Sequence, residues 1–152
     1  MISIVRTNSA NSDFLILVKK LDAELAIRDG EDHVFYSQFN SLEKIRHVVL
    51  AYVNGEPAGC GAIKEYSANT MEIKRMFVLA DHRRKGIAAK ILTELERWAA
   101  ELSFRECILE TGKKQPEAIE LYKKNGYQQI PNYGQYIGVE NSVCFEKEIL
   151  PH

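Results

Sequence analysis

The sequence predicts an α/β domain built on a central sheet, on three observations. Apolar and β-branched residues from Met71 to Leu79 lead through a basic turn, Arg83-Arg84-Lys85-Gly86, into a stripe of Ile87, Ile91, Leu95, Trp98 and Leu102 at helical spacing, so the chain passes from strand to turn to helix. Ahead of this unit, strand-like runs at 45–53 and 57–66 flank Asn54-Gly55, a pair that tolerates the positive φ of a tight hairpin. Behind it, strand and helix patterns alternate, which the topology rule turns into a right-handed parallel crossover.

In chain order, Ile2 to Arg6 alternates as a first strand. Phe14, Leu17, Val18, Leu21 and Leu25 then share a helical face, with Asn11, Ser12 or Asp13 as cap and Gly30 as stop. Segment 31–42 is irregular and aromatic, holding Phe35, Tyr36, Gln38, Phe39 and Asn40, and reads either as pocket wall or as a packed connecting loop. Gly59-Cys60-Gly61 predicts a bulge or the close approach of another group within its strand. After the long helix come a strand at 106–111 and the loop Gly112-Lys113-Lys114. A second helix opens at Gln115-Pro116, carries Ala118, Ile119, Leu121 and Tyr122, and closes at Asn125-Gly126. Strands at 127–130 and 142–149, separated by a Gly- and Tyr-rich loop, complete seven.

A length of 152 residues fits one domain over 1–152, and 45% hydrophobic with 27% charged residues is ordinary for a globular protein. A net charge of -1 argues against broad nucleic-acid or anionic-membrane binding, so the basic cluster at 83–85 is a local site. Cys60, Cys107 and Cys144 stand singly, without C-x-x-C or metal spacing, and are expected to be buried and reduced. His33, His47, His82 and His152 are isolated, so no metal is expected. The N-terminus lacks a signal-peptide pattern and the longest apolar run, 48–53, is too short to span a bilayer; a cytoplasmic location is the expectation.

Helix starts expose unpaired N–H groups and the positive end of the macrodipole, so Arg83-x-x-Gly86-x-Ala88 forms a plausible pyrophosphate cradle. It lacks the Lys-Ser/Thr ending of a triphosphate loop, and no G-x-G-x-x-G occurs. At these residues the chain resembles the GNAT N-acetyltransferase superfamily, whose acetyl-CoA motif, Arg/Gln-x-x-Gly-x-Gly/Ala after a strand, is similar to RRKGIA here. The resemblance implies the acyl-CoA N-acyltransferase fold, a mixed, mostly antiparallel twisted sheet of about seven strands flanked by about four helices. It implies acetyl-CoA as co-substrate, with Met76, Phe77 and Val78 along the pantetheine arm and the backbone of Arg83, Arg84, Lys85, Gly86, Ile87, Ala88 and Ala89 on the pyrophosphate. Thr111, Gln115, Ala118, Tyr122 and Lys124 complete the expected cofactor set. A homodimer through edge strands is possible within this family.

Moving an acetyl group from a thioester to an amine needs a neutral amine, a polarised carbonyl and a proton for the leaving thiolate; amines of pKa ~10.4 are mostly protonated at neutral pH. The segment LYKKNGY is similar to the family motif whose Tyr lies beside the CoA sulfur, which makes Tyr122 the expected general acid. Glu72 is the candidate general base and Glu110 the competing carboxylate, while an ion pair of Glu72 with Lys74 or Arg75 is the alternative. Alternation puts Glu72 and Lys74 on one face and Arg75 on the other unless a bulge intervenes. Tyr36, Asn40, Lys74, Arg75 and Glu110 are candidates to face the acceptor, expected to be a small-molecule amine; a carboxylate-bearing one, such as an amino acid, would suit the cations. A non-catalytic acyl-CoA-binding module and a protein N-terminal or lysine acetyltransferase are the other readings.

Overall fold

The computed structural model describes residues 1–32, 35–36, 42 and 44–149; Gln38, Phe39, Asn40, His33 and His152 lie outside them. β1 (Ile2–Thr7), β2 (His47–Val53), β3 (Glu56–Ser67), β4 (Thr70–Val78), β5 (Glu106–Gly112), β6 (Gln128–Ile130) and β7 (Ser142–Glu148) form one sheet in the order β1-β2-β3-β4-β5-β7-β6. Three α-helices among the described residues flank it, α1 (Ser12–Asp29), α2 (Ile87–Glu101) and α3 (Pro116–Lys124). The expected strands begin slightly late: Ile45 and Arg46 precede β2, and Tyr127 precedes β6.

Each boundary has a local cause. Asn11 caps α1 by accepting from Asp13 N at 2.9 Å and Phe14 N at 3.1 Å, and Gly30 ends it with φ 54°. Asn54 and Gly55 take φ 51° and 85°, the paired positive values of a tight hairpin whose twist suits its strands. Pro116 opens α3 where its missing N–H is not needed.

Two cores cover the two faces. Phe14, Leu17, Val18 and Leu21 of α1 pack on Val48, Leu50, Cys60, Ala62 and Phe77, while Ile87, Ile91, Leu92 and Leu95 of α2 pack on Val49, Ala51, Ile63, Ile73 and Val78 on the other side. A Cβ on Gly59 or Gly61 would lie 3.1 or 2.8 Å from Ile91 atoms, so the paired glycines let α2 seat directly on β3. The three thiols are buried and free, and burial pushes Cys60 and Cys107 up to about 12 and Cys144 to about 11.

Two irregularities position the site. β4 pairs in parallel with β5 over only Thr70–Glu72 against Glu106–Ile108, after which the strands separate. Past Glu72, the main-chain groups of β4 on that side have no strand partner, and a cleft opens in the sheet. The second irregularity is a bulge. The β3–β4 register shifts between Cys60 and Ala62, and Arg75 adopts φ 58°. Met71, Ile73 and Val78 pack under α2, yet Phe77 packs under α1, so the alternation inverts within 74–76. The bulge therefore brings Arg75 to the α1 face along with Glu72 and Lys74, where unbroken alternation would have sent it across the sheet.

Candidate active site

A cavity of about 130 Å³ fills the cleft. Its walls come from Ile73 to Met76 of β4, Glu110 to Gly112 of β5, Gln115, Ala118 and Tyr122 around α3, Leu21, Leu25 and Asp29 of α1, and Tyr36 and Tyr136. α1 is fastened over it at three points. Asp22 pairs with the guanidinium of Arg75, Glu24 with Arg83 at 2.9 Å, and Arg28 reaches Glu117 of α3 at 3.9 Å. A helix anchored to both banks of the cleft closes one side of the cavity.

Beside the cleft, α2 begins at Gly86, with φ 78° and no side-chain cap. The first intrahelical bond runs from Lys90 N to Gly86 O at 3.1 Å, so the amides of Ile87, Ala88 and Ala89 lie in the first turn, where N–H groups have no helical acceptor. Arg84 and Lys85 are exposed next to them. Arg83 is exposed as well, but its side chain is tied down: its Nε donates to Val78 O at 2.8 Å and its Nη2 to Glu24, with the guanidinium 5.8 Å over the Phe77 ring. Its side chain ties β4, the basic turn and α1 together.

The need for glycine at 86 is conformational. A Cβ there would meet nothing within 4 Å, but the left-handed φ costs other residues about 1–2 kcal/mol. We expect Gly86→Val to weaken CoA binding about tenfold or more by moving the first-turn amides, with Tm lowered by only a few degrees. Calorimetric titration with CoA checks this, and unaltered affinity would remove the cradle.

Of the expected chemistry, Glu110 and Tyr122 line the cavity and Glu72 does not. Glu72 is 5% exposed, and its Oε2 accepts the phenolic hydrogen of Tyr133 at 2.6 Å. Glu110 has different surroundings. Burial pushes its carboxyl up to about 7, and Asp29 and Glu72 push in the same direction, while the bond from Ser142 and the charge of Lys74 oppose them. Ser142 Oγ donates to Glu110 Oε2 at 2.8 Å. Having one hydrogen to give, it accepts from Tyr36 Oη at 2.9 Å, so a relay Tyr36 to Ser142 to Glu110 fixes the carboxylate.

Tyr122 is 6% exposed, its ring edge-on to Tyr127 at 5.8 Å and tilted against Phe145 at 6.2 Å. Burial, then the charge of Glu110, raises its phenol well above the usual value, so it stays a hydroxyl donor at neutral pH. Ala118, one turn earlier on α3, lines the same cavity, as do Met76, Thr111 and Gln115. Phe77, Val78, the 83–89 segment and Lys124 are not on its wall; the first three continue along the open strand to the head of α2, and Lys124 is solvent-exposed. Lys74, on the wall, has its ammonium shifted down by burial. Sequence reading did not single out Ser142, Asp29 or Asp22 because each acts through a partner distant in the chain. Among the described residues, no three His, Cys, Asp or Glu side chains cluster as a metal site, and no helix is long and apolar enough to cross a membrane.

A model of the acetyltransferase (GNAT) family matches residues 16–127. An IAA acetyltransferase from Azospirillum brasilense is 30% identical over 151 residues, covering 97% of this chain and 98% of that protein. Among solved structures, an acyl-CoA N-acyltransferase candidate from Klebsiella pneumoniae superposes with a TM-score of 0.83 at 27% identity over 99% of both chains. A GNAT family acetyltransferase from Elizabethkingia anophelis, crystallised with acetyl-CoA bound, shares the fold with a TM-score of 0.70 at 19% identity over 97% of both chains.

Proposed function

This chain belongs to the GNAT acetyltransferase family, and on that premise we propose that it moves the acetyl group of acetyl-CoA onto the primary amine of a small molecule, by direct attack in a ternary complex. The observation that carries this reading is the cavity at the β4–β5 divergence, which has Glu110 and Tyr122 on its wall and the uncapped head of α2 beside it. The first-turn amides of α2 hold the pyrophosphate, the free edge of β4 from Met76 to Val78 runs along the pantetheine, and the thioester ends between Tyr122 and Glu110.

The two side chains then divide the proton work. Glu110, titrating near 7, takes a proton from the ammonium of the acceptor, directly or through one water, and frees its lone pair. The amine nitrogen bonds to the thioester carbon, the C–S bond breaks as the tetrahedral adduct collapses, and the proton the nitrogen sheds in becoming an amide ends on the departing thiolate. An unpaired main-chain N–H on the bulged part of β4 polarises the carbonyl oxygen. The Tyr122 hydroxyl donates to the departing sulfur. Glu72 keeps Tyr133 in place and serves the cavity from outside its wall.

Purified protein supplied with acetyl-CoA and a panel of small amines tests the reading, with release of free CoA thiol as the readout. Release only when an amine is present, with acetylated amine found by mass spectrometry, is the expected result. Amine-independent binding without turnover would make the chain a CoA-responsive module, and acetylation confined to proteins would move the acceptor out of the small-molecule class. Ser142→Ala gives a second check. The bond from Ser142 lowers the Glu110 value, so its loss should move the rising limb of the pH–rate profile upward by about half to one unit. A limb that stays put would separate Ser142 from the base.

A further inference from the structure

The charges on the two banks of the cavity are of opposite sign, and one of them is incompletely paired. On the β5 bank stands Glu110, the acceptor of the amine proton in the reading above; on the β4 bank stand Lys74 and Arg75. Arg75 arrives there only because of the bulge. Its side chain is 2% exposed, its Nη2 is taken by Asp22, itself half exposed, and its Nε has no hydrogen-bond partner among the described residues. A guanidinium presents five donors in a rigid fork that matches a carboxylate, and a buried unpaired donor on a charged group is costly. A ligand carboxylate would supply the missing acceptor.

Resting on the acetyltransferase reading, we propose that the acceptor is a small zwitterion of amino-acid type, whose carboxylate binds Arg75 and Lys74 on the β4 bank while its primary amine faces Glu110 across the cavity. The complementarity is specific in sign. A diamine would press a second cation against Lys74 and Arg75, and an amine without a carboxylate would bring no acceptor to Arg75 Nε. Leu21 and Leu25 of α1 supply an apolar wall for the acceptor's side chain. The Asp22 bond keeps the guanidinium in register with the cavity, which gives Asp22 a positioning role.

Matched acceptors decide the matter: a series of amino acids, each paired with its decarboxylated amine and its methyl ester, compared by kcat/KM at pH 8 in the wild-type protein, Arg75→Lys and Arg75→Gln. The expected result is a preference of about 10²-fold or more for the free carboxylate in the wild-type protein. That ratio should shrink in Arg75→Lys and collapse in Arg75→Gln, the loss appearing chiefly in KM. A wild-type ratio near one, or a preference for the amine or ester, would overturn the zwitterion while leaving acetyl transfer intact. Undiminished discrimination in Arg75→Gln would remove Arg75 as its source. Should either variant fold poorly, the wild-type ratio alone still decides the acceptor class. CoA binding without turnover of any acceptor would remove the acetyltransferase reading and this assignment with it.

Discussion

Glu110→Gln should lower kcat by about 10²- to 10³-fold, abolish the rising limb of the pH–rate profile near 7, and raise stability at alkaline pH. The three effects share one cause. In the folded protein the carboxyl titrates near 7, above the 4.5 of an ordinary Glu, because burial disfavours its charge. Between those values the folded chain holds a proton that the unfolded chain has released, so the stability contribution is complete below about 4.5 and is lost as pH rises through about 7. Gln retains an oxygen to accept from Ser142 but carries no charge. The variant should therefore be more stable than the wild-type protein by about 1–3 kcal/mol at pH 8, with the gap closing by pH 5. Denaturant titrations at both pH values, run beside the kinetics, check the sign. Equal stabilities at pH 8 together with a preserved limb would return the base role to Glu72.

The second large effect is expected at Tyr122. A phenol raised by burial loses its proton outright only with difficulty, so it acts as a hydrogen-bond donor to developing negative charge on sulfur. Tyr122→Phe keeps the ring packed against Tyr127 and Phe145 and removes only the hydroxyl. We expect kcat to fall by about 10²-fold while CoA affinity changes less than about twofold, since the interaction forms as the bond breaks. Single-turnover rates with calorimetry separate the two. A weakened affinity at an unchanged chemical rate would make Tyr122 a packing residue.

Most of the fold was legible because its signals are local. The Asn54-Gly55 turn, the Ile87–Leu95 stripe and the Pro116 helix start each act within a few residues of the chain, and the element order follows from them. The site was legible in its parts. Tyr122, Ala118 and Lys74 line the cavity and Gly86 heads α2, but three features required the third dimension. The β4 phase inverts at Arg75, and a one-residue bulge exchanges faces without any change in composition. Tyr133 covers Glu72, whereas Ser142, 32 residues away from Glu110, orients the carboxylate we propose as the base. Arg83, the first residue of the basic motif, is held by Glu24, 59 residues earlier. Sequence spacing carries faces and caps, whereas the pairing of charges across a cleft depends on which strands diverge.

Hydrogen exchange with and without acetyl-CoA tests most directly whether the cofactor lies in the β4–β5 divergence. Added acetyl-CoA is expected to slow exchange in two segments, 73–78 on the free edge of β4 and 84–89 at the head of α2. Protection confined to other segments, or none at concentrations that saturate binding, would contradict that placement.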